Sequence, residues 1–478
     1  MRRTIIVITA FFTFSTSSIA QKKWNLAECI EYAMTNNITV KQTDLQSKIA
    51  DINYKQSKLG QYPNATFNTN ASYNSGRNQD PTSFSLITQS YLSANMQLQS
   101  SAEIFNWYSK RNTIAANQWE LQAAKAATDK IKNDIALTVA NAYLQILLAK
   151  EQENIARVQL QQSQAQLTNT RKMVNAGALP ELNASELEAQ VARDSATVIS
   201  ATGLVTQNTL NLKAYMAIDA AQPFEIDMPP VDFIPVEKIG DLQPETVYAS
   251  ALANMPQQKY NDFKLKAARK SSEAAKGNMY PTLSAFGSLS SSFINSKSPV
   301  YEPTGTYSSN LLSPQVIVNG TTYKISSPDY VVSGSKGTPF LTQINNNFRQ
   351  SIGLSVSVPI FNGGSLRAAW ERSKVSITNQ ELQKQLDDQK LKQDIYQAYN
   401  AALVALEKFN ASKKSVQTAE RSFSFSQKRF DVGLLSTFEL ITNQNNLFRA
   451  KLEYALDQFD YVFKIKVLEF YKGQGLKL

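Results

Sequence analysis

Histidine is absent from the 478-residue chain, and Cys29 is its single cysteine. Zinc, copper and haem sites usually recruit imidazole, and so do most general-base mechanisms. One cysteine excludes an internal disulfide, and a lone cysteine without histidine is typical of a small buried apolar residue. The composition therefore favours a protein without a catalytic site, a metal site or a bound cofactor.

Long apolar runs are also missing beyond residue 20. A helix needs about 20 apolar residues to cross a bilayer, so no membrane-spanning helix is expected. The chain therefore either stays soluble or crosses a membrane as β-strands.

The first twenty residues have the pattern of a signal peptide. Arg2 and Arg3 form a basic start, residues 5–14 are apolar, and residues 18–20 (SIA) offer the small side chains that signal peptidase needs. The alternative, a membrane anchor, requires a longer apolar stretch. We expect cleavage after residue 20 and export. Lipid attachment at Cys29 is not expected, because Glu28 precedes it where a small residue is needed.

Basic residues outnumber acidic ones, but they are dispersed. The formal charge of +10 falls by two, to +8, when Arg2 and Arg3 leave with the signal peptide. The remaining Lys and Arg residues are scattered among Gln, Asn and Glu, and no basic stripe with interleaved aromatics is present. A solvated surface is the better interpretation, and no nucleic-acid partner is expected.

Similar motifs occur twice, at a fixed spacing. Gly177 and Gly433 stand 256 residues apart, within the segments MVNAGAL and RFDVGLL. Phe105 and Phe361, each within the segment IFN, differ by the same 256 residues. The spacing predicts an internal repeat in which each copy reads helix, strand, loop, strand, long helix, glycine break and helix.

Two irregularities mark the borders of the copies. Pro63 and Pro281, each after a tyrosine, lie only 218 residues apart, so the second copy contains extra residues. These fall in the Ser-, Gly- and Pro-rich segment 296–347, which is predicted to be a long loop. The proline-rich segment 222–244 reads as a linker. We therefore expect a first repeat at 21–221 and a second at 245–478.

Four segments alternate apolar and polar residues with period two, as half-buried strands do. They lie at 67–74, 92–99, 283–290 and 351–360, and Phe286 interrupts the polar face of the third. Their polar faces consist of neutral Ser, Asn and Gln. One interpretation is part of a soluble β-sandwich; the other is a transmembrane barrel with lipid on the apolar side and water on the polar side.

Four strands are too few to close a barrel. In a membrane, the unpaired N–H and C=O groups at the sheet edges would each cost several kcal/mol. If the strands span, several chains must share one barrel. This argument predicts an oligomer but does not fix its number of subunits.

Long helices are predicted on either side of the strands. Pro and Gly are both absent from residues 107–176 and from residues 365–431. In the second stretch Ile395, Tyr399, Ala402, Leu406 and Phe409 recur at heptad-like spacing. Shorter helices are expected at about 27–60 and 180–216. Each is about half as long as a long helix, so two stacked end to end would match one.

Taken together, these features resemble the TolC-type outer-membrane efflux proteins of Gram-negative bacteria, over essentially the whole mature chain. The motifs that carry the resemblance are NLAECIEYA at 25–33, Tyr-Pro at 62–63 and 280–281, VPIFNGG at 358–364, and RFDVG at 429–433 followed by Glu439, Leu440 and Leu447. The resemblance implies an α+β membrane protein, a homotrimer with a 12-stranded barrel, four strands per chain, above a helical periplasmic barrel. It also implies two partners, a periplasmic adaptor (membrane fusion protein) and an inner-membrane transporter.

The resemblance further implies an entrance that closes at the helix hairpin tips. The acidic positions of the family fall on Glu439 and Thr442, of which only Glu439 is acidic, so one ring of carboxylates is expected. Together with Asn183 these residues are expected to line the pore constriction. The alternative is that Glu439 lies near a helix start, where a carboxylate interacts favourably with the helix dipole. The positions of the family's closing network hold Leu182, Asn183, Phe430 and Leu435. Three of these four lack side-chain hydrogen-bonding groups, which points to apolar contacts.

Two other classes of protein account for fewer of these features than a channel does. A soluble coiled-coil scaffold explains the helices and the signal peptide but not the four alternating strands. An enzyme would need a reactive cluster. The adjacent acids Asp387 and Asp388 lie among Lys and Gln on a helix, and Gly363 and Gly364 lack the spacing of a phosphate-binding loop. We therefore expect a passive exit duct in the outer membrane, in contact with outer-membrane lipid, whose cargo is selected by its transporter.

Overall fold

The computed structural model describes residues 23–79, 84–227, 234–309 and 313–473. The predicted signal peptide lies outside these residues. The chain divides into two compact units, one with the described parts of 1–53, 117–268 and 375–478 and one with those of 54–116 and 269–374. Residues of the first unit are mostly helical, and the second contains the main sheet.

Nine helices lie in the described ranges. They are α1 (Leu26–Asn36), α2 (Ile38–Leu59), α3 (Ser109–Asn175), α4 (Glu181–Met216), α5 (Pro244–Asn254), α6 (Pro256–Gly277), α7 (Phe340–Asn346), α8 (Ser365–Asp431) and α9 (Thr437–Lys472). The two long helices contain 67 residues each, which corresponds to about 100 Å at 1.5 Å per residue. None of the helices in the described ranges is long and apolar enough to span a bilayer.

The predicted helix at 27–60 is divided in the structure, which corrects that expectation. Asn37 stands between α1 and α2 with ψ +132°, outside the helical range. Its side-chain oxygen accepts a hydrogen bond from the backbone N–H of Thr39 at 2.8 Å, and its side-chain amide donates to the carbonyl of Tyr215 at 2.8 Å. Asparagine competes with the helix for backbone hydrogen bonds in this way. In the second half of the chain, Pro256 divides α5 from α6.

The helical unit contains two buried clusters. The larger joins Cys29 of α1, Tyr143 of α3 and Leu212 of α4. Cys29 is fully buried, as predicted, and burial raises the pKa of its thiol to about 12, with Glu28 adding to the rise. The thiol is therefore neutral and packs as an apolar group.

The smaller cluster forms around the predicted heptad-like stripe of α8. Ile395 and Ala402 are fully buried there, in one cluster with Ile465 and Leu468 of α9. Tyr399 packs on the edge of this cluster. The stripe is thus the buried face of α8, as its spacing predicted.

The second unit contains a four-stranded antiparallel sheet. Its strands are β2 (Asn64–Gln79), β3 (Leu86–Phe105), β5 (Thr282–Ile294) and β10 (Arg349–Ser357), in the order β10-β5-β3-β2. All four predicted strands are present; the last ends at Ser357 instead of 360, because Pro359 has no N–H for a ladder. Two short strands, β1 (Lys23–Trp24) and β4 (Glu225–Ile226), pair in parallel in the helical unit.

The strand register places apolar residues opposite apolar residues and polar residues opposite polar ones. Phe67 lies opposite Leu98, and Tyr73 opposite Leu92, whereas Asn68 lies opposite Gln97. Directly opposed residues point to the same side of a sheet. The sheet therefore has one apolar and one polar, uncharged face over most of its area, as the alternation predicted.

Phe286, the exception on the polar face, has a local explanation. It lies directly opposite Gly353, and a Cβ built on that glycine would come within 2.6 Å of the phenylalanine ring. The ring therefore covers the glycine, a pairing that stabilises glycine within a sheet.

The segment 296–347, predicted as a loop, contains regular structure. It holds β6 (Lys297–Ser308) paired with β9 (Ser327–Gly337), β7 (Gln315–Val318) paired with β8 (Thr321–Lys324), and α7. Asn319 and Gly320 both have positive φ and form the two-residue turn between β7 and β8. The Ser, Gly and Pro content of the segment obscured these strands in the sequence.

Candidate functional site

Two helix hairpins of the helical unit end in matching turns. Gly177 follows α3, Gly433 follows α8, and both have φ +77°. After α3, the N–H groups of Gly177 and Ala178 donate to the carbonyls of Val174 and Met173 at 2.8 and 2.9 Å. The N–H groups of Gly433 and the next residue make the same pair of bonds to the last turn of α8. Each turn is a Schellman motif, which needs a left-handed residue and so favours glycine.

The second hairpin continues into a capping box. Ser436 precedes α9, and its hydroxyl oxygen accepts from the N–H of Glu439 at 3.2 Å. The carboxylate of Glu439 in turn accepts from the N–H of Ser436 at 3.3 Å. This geometry satisfies two free N–H groups at the helix start. Glu439 thus has a structural role at the helix start, while its side chain remains exposed to solvent.

The other two predicted constriction residues, Thr442 and Asn183, lie near the starts of α9 and α4. Thr442 is exposed, one turn beyond Glu439 on the same side of α9, and its hydroxyl donates to the carbonyl of Phe438 at 2.8 Å. Asn183 is half-buried in the first turn of α4. The structure therefore positions all three at the hairpin ends, and their place around a pore stays a prediction.

The predicted gate residues differ in their surroundings. Phe430 is buried, Leu435 is half-buried, and Leu182 is 65% exposed. Phe430 thus packs within its own chain, whereas most of the Leu182 side chain faces outward. An apolar contact through Leu182 would need a group from outside this chain.

A buried polar network joins the two hairpins, and the sequence did not reveal it. Ser163 of α3 donates from its hydroxyl to the carboxylate of Asp194 of α4 at 2.5 Å. Gln190, one turn earlier on α4, donates to the other oxygen of Asp194 at 2.9 Å. Gln444 of α9 donates to the hydroxyl of Ser163 at 3.0 Å. All four side chains are buried.

Further contacts extend this connection. The amide of Gln190 also donates to the side-chain oxygen of Asn445 on α9 at 3.1 Å. Nearer the tips, Gln427 of α8 donates to Gln166 of α3 at 3.1 Å. Buried polar groups cost free energy unless they are hydrogen-bonded, so such networks fix one arrangement of their helices. We name Ser163, Gln190, Asp194, Gln444 and Asn445 the hairpin network.

A hydrogen bond and a charge pair also link α3 with α4. The pKa of Glu153 is lowered, chiefly by the hydrogen bond from Arg157. Thr202 of α4 donates to the same carboxylate at 2.9 Å. Arg171 of α3 and Glu188 of α4 form a charge pair across this hairpin, closer to its tip. The Arg171–Glu188 pair is exposed to solvent and is expected to contribute less than the buried network.

An amphipathic sheet and paired helices of this length are the elements expected of an outer-membrane channel protein. The profile of the family described as "Outer membrane efflux protein" matches residues 29–217 and 247–464, which is most of the chain. The chain belongs to the outer membrane efflux protein family. It is a channel protein of the outer membrane, with its helical part in the periplasm.

Individual relatives agree with this assignment. The outer membrane efflux protein BepC of Brucella suis biovar 1 is 20% identical over 436 residues, which cover 90% of this chain and 81% of BepC. The outer membrane protein TolC of Escherichia coli K12 is 23% identical over 139 residues, 29% of this chain and 28% of TolC.

Solved structures of three channels share the fold. CusC superposes with a TM-score of 0.74 at 15% identity and covers 94% of this chain and 91% of its own. CmeC of Campylobacter jejuni has a TM-score of 0.72 at 16% identity, with 95% and 86% covered. The open state of MtrE of Neisseria gonorrhoeae has a TM-score of 0.69 at 18% identity, with 94% and 88% covered.

Proposed function

We propose that three copies of this chain form the outer-membrane exit duct of a tripartite efflux or secretion system. Each copy contributes four strands to a 12-stranded barrel, which is continued by a helical barrel in the periplasm. The duct is passive, because solutes are delivered to it by an inner-membrane transporter and a periplasmic adaptor. The observation that carries the proposal is the open, amphipathic four-stranded sheet.

The apolar face of this sheet is suited to lipid. On β10, Ile352, Leu354 and Val356 are 92%, 68% and 65% exposed in the single chain. Burying apolar side chains of this size in lipid is worth about 1.5–3 kcal/mol each. The opposite face carries Ser, Asn and Gln side chains, which suit a water-filled lumen.

The edges of the sheet require neighbours. β2 and β10 are its outer strands, and within the described residues neither pairs with another strand on its outer side. In a bilayer such unpaired backbone groups cost several kcal/mol each. Pairing β2 of one subunit with β10 of the next removes both edges at once. The number of three subunits comes from the family resemblance.

The chain is built from two copies of one plan, which we place at 21–221 and 245–478 around the linker 222–244. Both halves contain helices of 11, 22, 67 and 36 residues in the same order. Equal lengths allow each half to supply the same height of the periplasmic barrel.

The periplasmic entrance lies at the hairpin tips, where Gly177 and Gly433 break the helices. Three copies of Glu439 form a carboxylate ring, with Thr442 and Asn183 lining the same constriction. Like charges held close together attract cations. Leu182, Phe430 and Leu435 close the entrance through apolar contacts, and the hairpin network holds the two hairpins of each subunit together.

Two measurements test the duct. Native mass spectrometry of the protein extracted from outer membranes in mild detergent should give the mass of three chains. The same material should produce discrete ion-conducting steps in planar lipid bilayers. A soluble periplasmic monomer without conductance would contradict the proposal and favour a coiled-coil scaffold.

A further inference from the structure

The two edge strands of the main sheet differ in length. Both adjoin helices at the same end of the sheet, since β2 follows α2 and β10 precedes α8 in the chain. β2 contains 16 residues and β10 contains nine, so at least seven residues of β2, the difference, have no partner in β10 of a neighbouring subunit. Most of this surplus falls at the other end of β2, residues 73–79, which we name the far end.

The same shortfall occurs inside the subunit, between β10 and β5. Their outermost pair is Arg349 with Ser290, whereas β5 continues to Ile294. The N–H of Asn295 donates to the carbonyl of Leu92 on β3 at 2.8 Å. Because these groups alternate along a strand, the N–H and C=O of Ile294 point the other way, to the side of β10. β10 does not reach them.

Gln343 of α7 takes the place of the missing strand. Its side-chain oxygen accepts from the N–H of Ile294 at 3.0 Å, and its side-chain amide donates to the carbonyl of Ile294 at 2.9 Å. The side-chain amide of Asn347 donates to the carbonyl of Ser292 at 2.8 Å. Two side chains thus make the bonds that a neighbouring strand would make, and they cover this stretch of the β5 edge.

The side chains of β5 also hold α7. The rings of Phe293 and Phe340 meet edge to face at 5.1 Å, and the hydroxyl of Ser291 donates to the carbonyl of Ile344 at 2.7 Å. An isolated helix of seven residues would not be stable in water. These contacts therefore explain why α7 forms, and they fix it on the side of β5 where β10 also lies.

Within the described residues, the other side of α7 remains open. Leu341 is 78% exposed, and Phe348, between α7 and β10, is 53% exposed. Thr342, Asn345 and Asn346 are exposed as well. We name these five residues the α7 surface. It combines large apolar side chains with uncharged ones that can donate and accept hydrogen bonds.

We propose that the α7 surface packs against the far end of β2 in the next subunit and covers the part of that edge that β10 is too short to pair. The partner is a second copy of this chain, because α7 lies on the same side of β5 as β10, the strand that meets the neighbour's β2. This inference rests on the proposed trimer.

The chemistry of the two surfaces is compatible. Tyr73, at the start of the far end, is 72% exposed in the single chain and offers an apolar ring to Leu341 and Phe348. The exposed amides of Asn345 and Asn346 can bond to the unpaired backbone of β2, as Gln343 bonds to β5. Natural sheets protect their edges with a helix or loop in this way.

Cross-linking tests this contact. In a Cys29→Ala background, Leu341→Cys is combined in turn with Tyr73→Cys, Ser75→Cys or Arg77→Cys at the far end of β2. A short thiol-specific cross-linker is then applied to outer membranes. We expect covalent dimers and trimers with at least one of the three pairs. Monomers with all three would overturn the proposal.

A matched pair, Leu341→Cys with Ala65→Cys, serves as the control. Ala65 lies on the same face of β2 as Tyr73, but about 26 Å nearer the helices at 3.3 Å per residue. We expect no covalent dimers with this pair. A yield equal to that at the far end would mean that the reaction is not specific to the proposed contact, and would contradict it.

A second variant tests whether Gln343 positions α7. Gln343→Leu keeps a side chain of similar size but removes both hydrogen bonds to Ile294. One such bond changes an equilibrium about fivefold, so the yield of cross-linking through Leu341→Cys should fall at least about fivefold. Cross-linking between Ala71→Cys on β2 and Leu354→Cys or its neighbours on β10 should not change. An unchanged yield through Leu341→Cys would contradict the proposal.

The pairs between β2 and β10 also keep the two proposals apart. Covalent trimers through β2 and β10 without any product through Leu341→Cys would overturn the α7 contact alone. Labelling of Leu341→Cys by a lipid-soluble maleimide would then show that lipid covers α7 instead of a second copy. The absence of both products would contradict the trimer, and the α7 contact with it.

Discussion

The two halves of the chain, residues 26–216 and 244–472, each contain helices of 11, 22, 67 and 36 residues, and both long helices end in the same glycine turn, but the starts of the two longest helices differ. The first half has Trp107 and Tyr108 before its long helix, where the second has two glycines. The first begins its last helix at Pro180, where the second has Ser436 and a capping box. Helix length is thus the same in both halves, while the starts of α3 and α8 and of α4 and α9 differ.

The hairpin interiors differ as well. Ser163 and Asp194 meet across the first hairpin, whereas the same helix positions in the second hairpin hold Ala419 and Ala450. A polar contact in one half therefore stands where the other has small apolar residues. Helices of equal length in the two halves therefore need not have equal roles at the entrance. Exchanging residues between the halves tests this.

The largest effect is expected from Asp194→Ala, which gives the first hairpin the alanine of the second. Ser163 and Gln190 lose their acceptor in a buried site, and this should lower the free energy of unfolding by about 3 kcal/mol. Denaturant titration followed by circular dichroism measures the change. The loosened tips should also raise single-channel conductance.

The control for this change is Asp44→Ala. Asp44 forms an exposed pair with Lys48 at 3.1 Å, and removing such a pair costs less than about 0.5 kcal/mol. Equal losses for the two variants would show that the hairpin network is no stronger than a surface contact.

The next effect compares the two Schellman turns. Gly177→Ala and Gly433→Ala should each cost about 1 kcal/mol of unfolding free energy, because alanine is strained at φ +77°. No described heavy atom lies within 4 Å of either added Cβ, so the cost is conformational and not steric. Gly203→Ala, inside α4, should instead stabilise by about 0.5–1 kcal/mol. Losses that differ clearly between the two tips would mean that the turns are not equivalent.

A smaller effect is expected from exchanging helix caps. Ser436→Ala removes the cap of α9 and should cost about 1 kcal/mol. Pro180→Ser with Asn183→Glu transfers the capping box to α4. It should stabilise by only about 0.5 kcal/mol, since the loss of proline returns freedom to the unfolded chain. Thermal unfolding of the trimers measures both, and a loss on transfer would contradict the local origin of the cap's effect.

The smallest effect on stability is expected from Glu439→Gln. Glutamine can replace glutamate in a capping box, so the unfolding free energy should change by less than about 0.3 kcal/mol. The charge is lost, however, and the reversal potential in a salt gradient should show a weaker preference for cations. Unchanged selectivity would remove Glu439 from the ring and leave only its role at the helix start.

Periodicity explains what could be predicted from the sequence. The alternation around residues 92–99 and 351–357 identified strands, and the absence of Pro and Gly identified α3 and α8. Both patterns are local, since they follow from the geometry of one strand or one helix.

The remainder depends on contacts between distant residues. Ser163 and Gln444 are 281 positions apart, so nothing in the neighbourhood of either indicates their hydrogen bond. The strands β6 and β9 within 296–347 were missed because Gly, Pro and Ser are interspersed along them and indicate turns in a sequence. The break between α1 and α2 could not be predicted, because the side chain of Asn37 donates to the carbonyl of Tyr215, which is 178 positions away in the sequence.

Cross-linking between the two edge strands tests the central claim most directly. In a Cys29→Ala background, Ala71→Cys on β2 is combined in turn with Ile352→Cys, Leu354→Cys or Val356→Cys on β10. A disulfide requires Cβ atoms about 3.8 Å apart, so only paired strands in matching register will form it. Ala71→Cys with Ala285→Cys, on the central strand β5, is the control. We predict covalent dimers and trimers at one of the three edge positions and none with the control. Monomers at all three positions, or cross-linking of the control to the same extent, would contradict a barrel closed by neighbouring subunits.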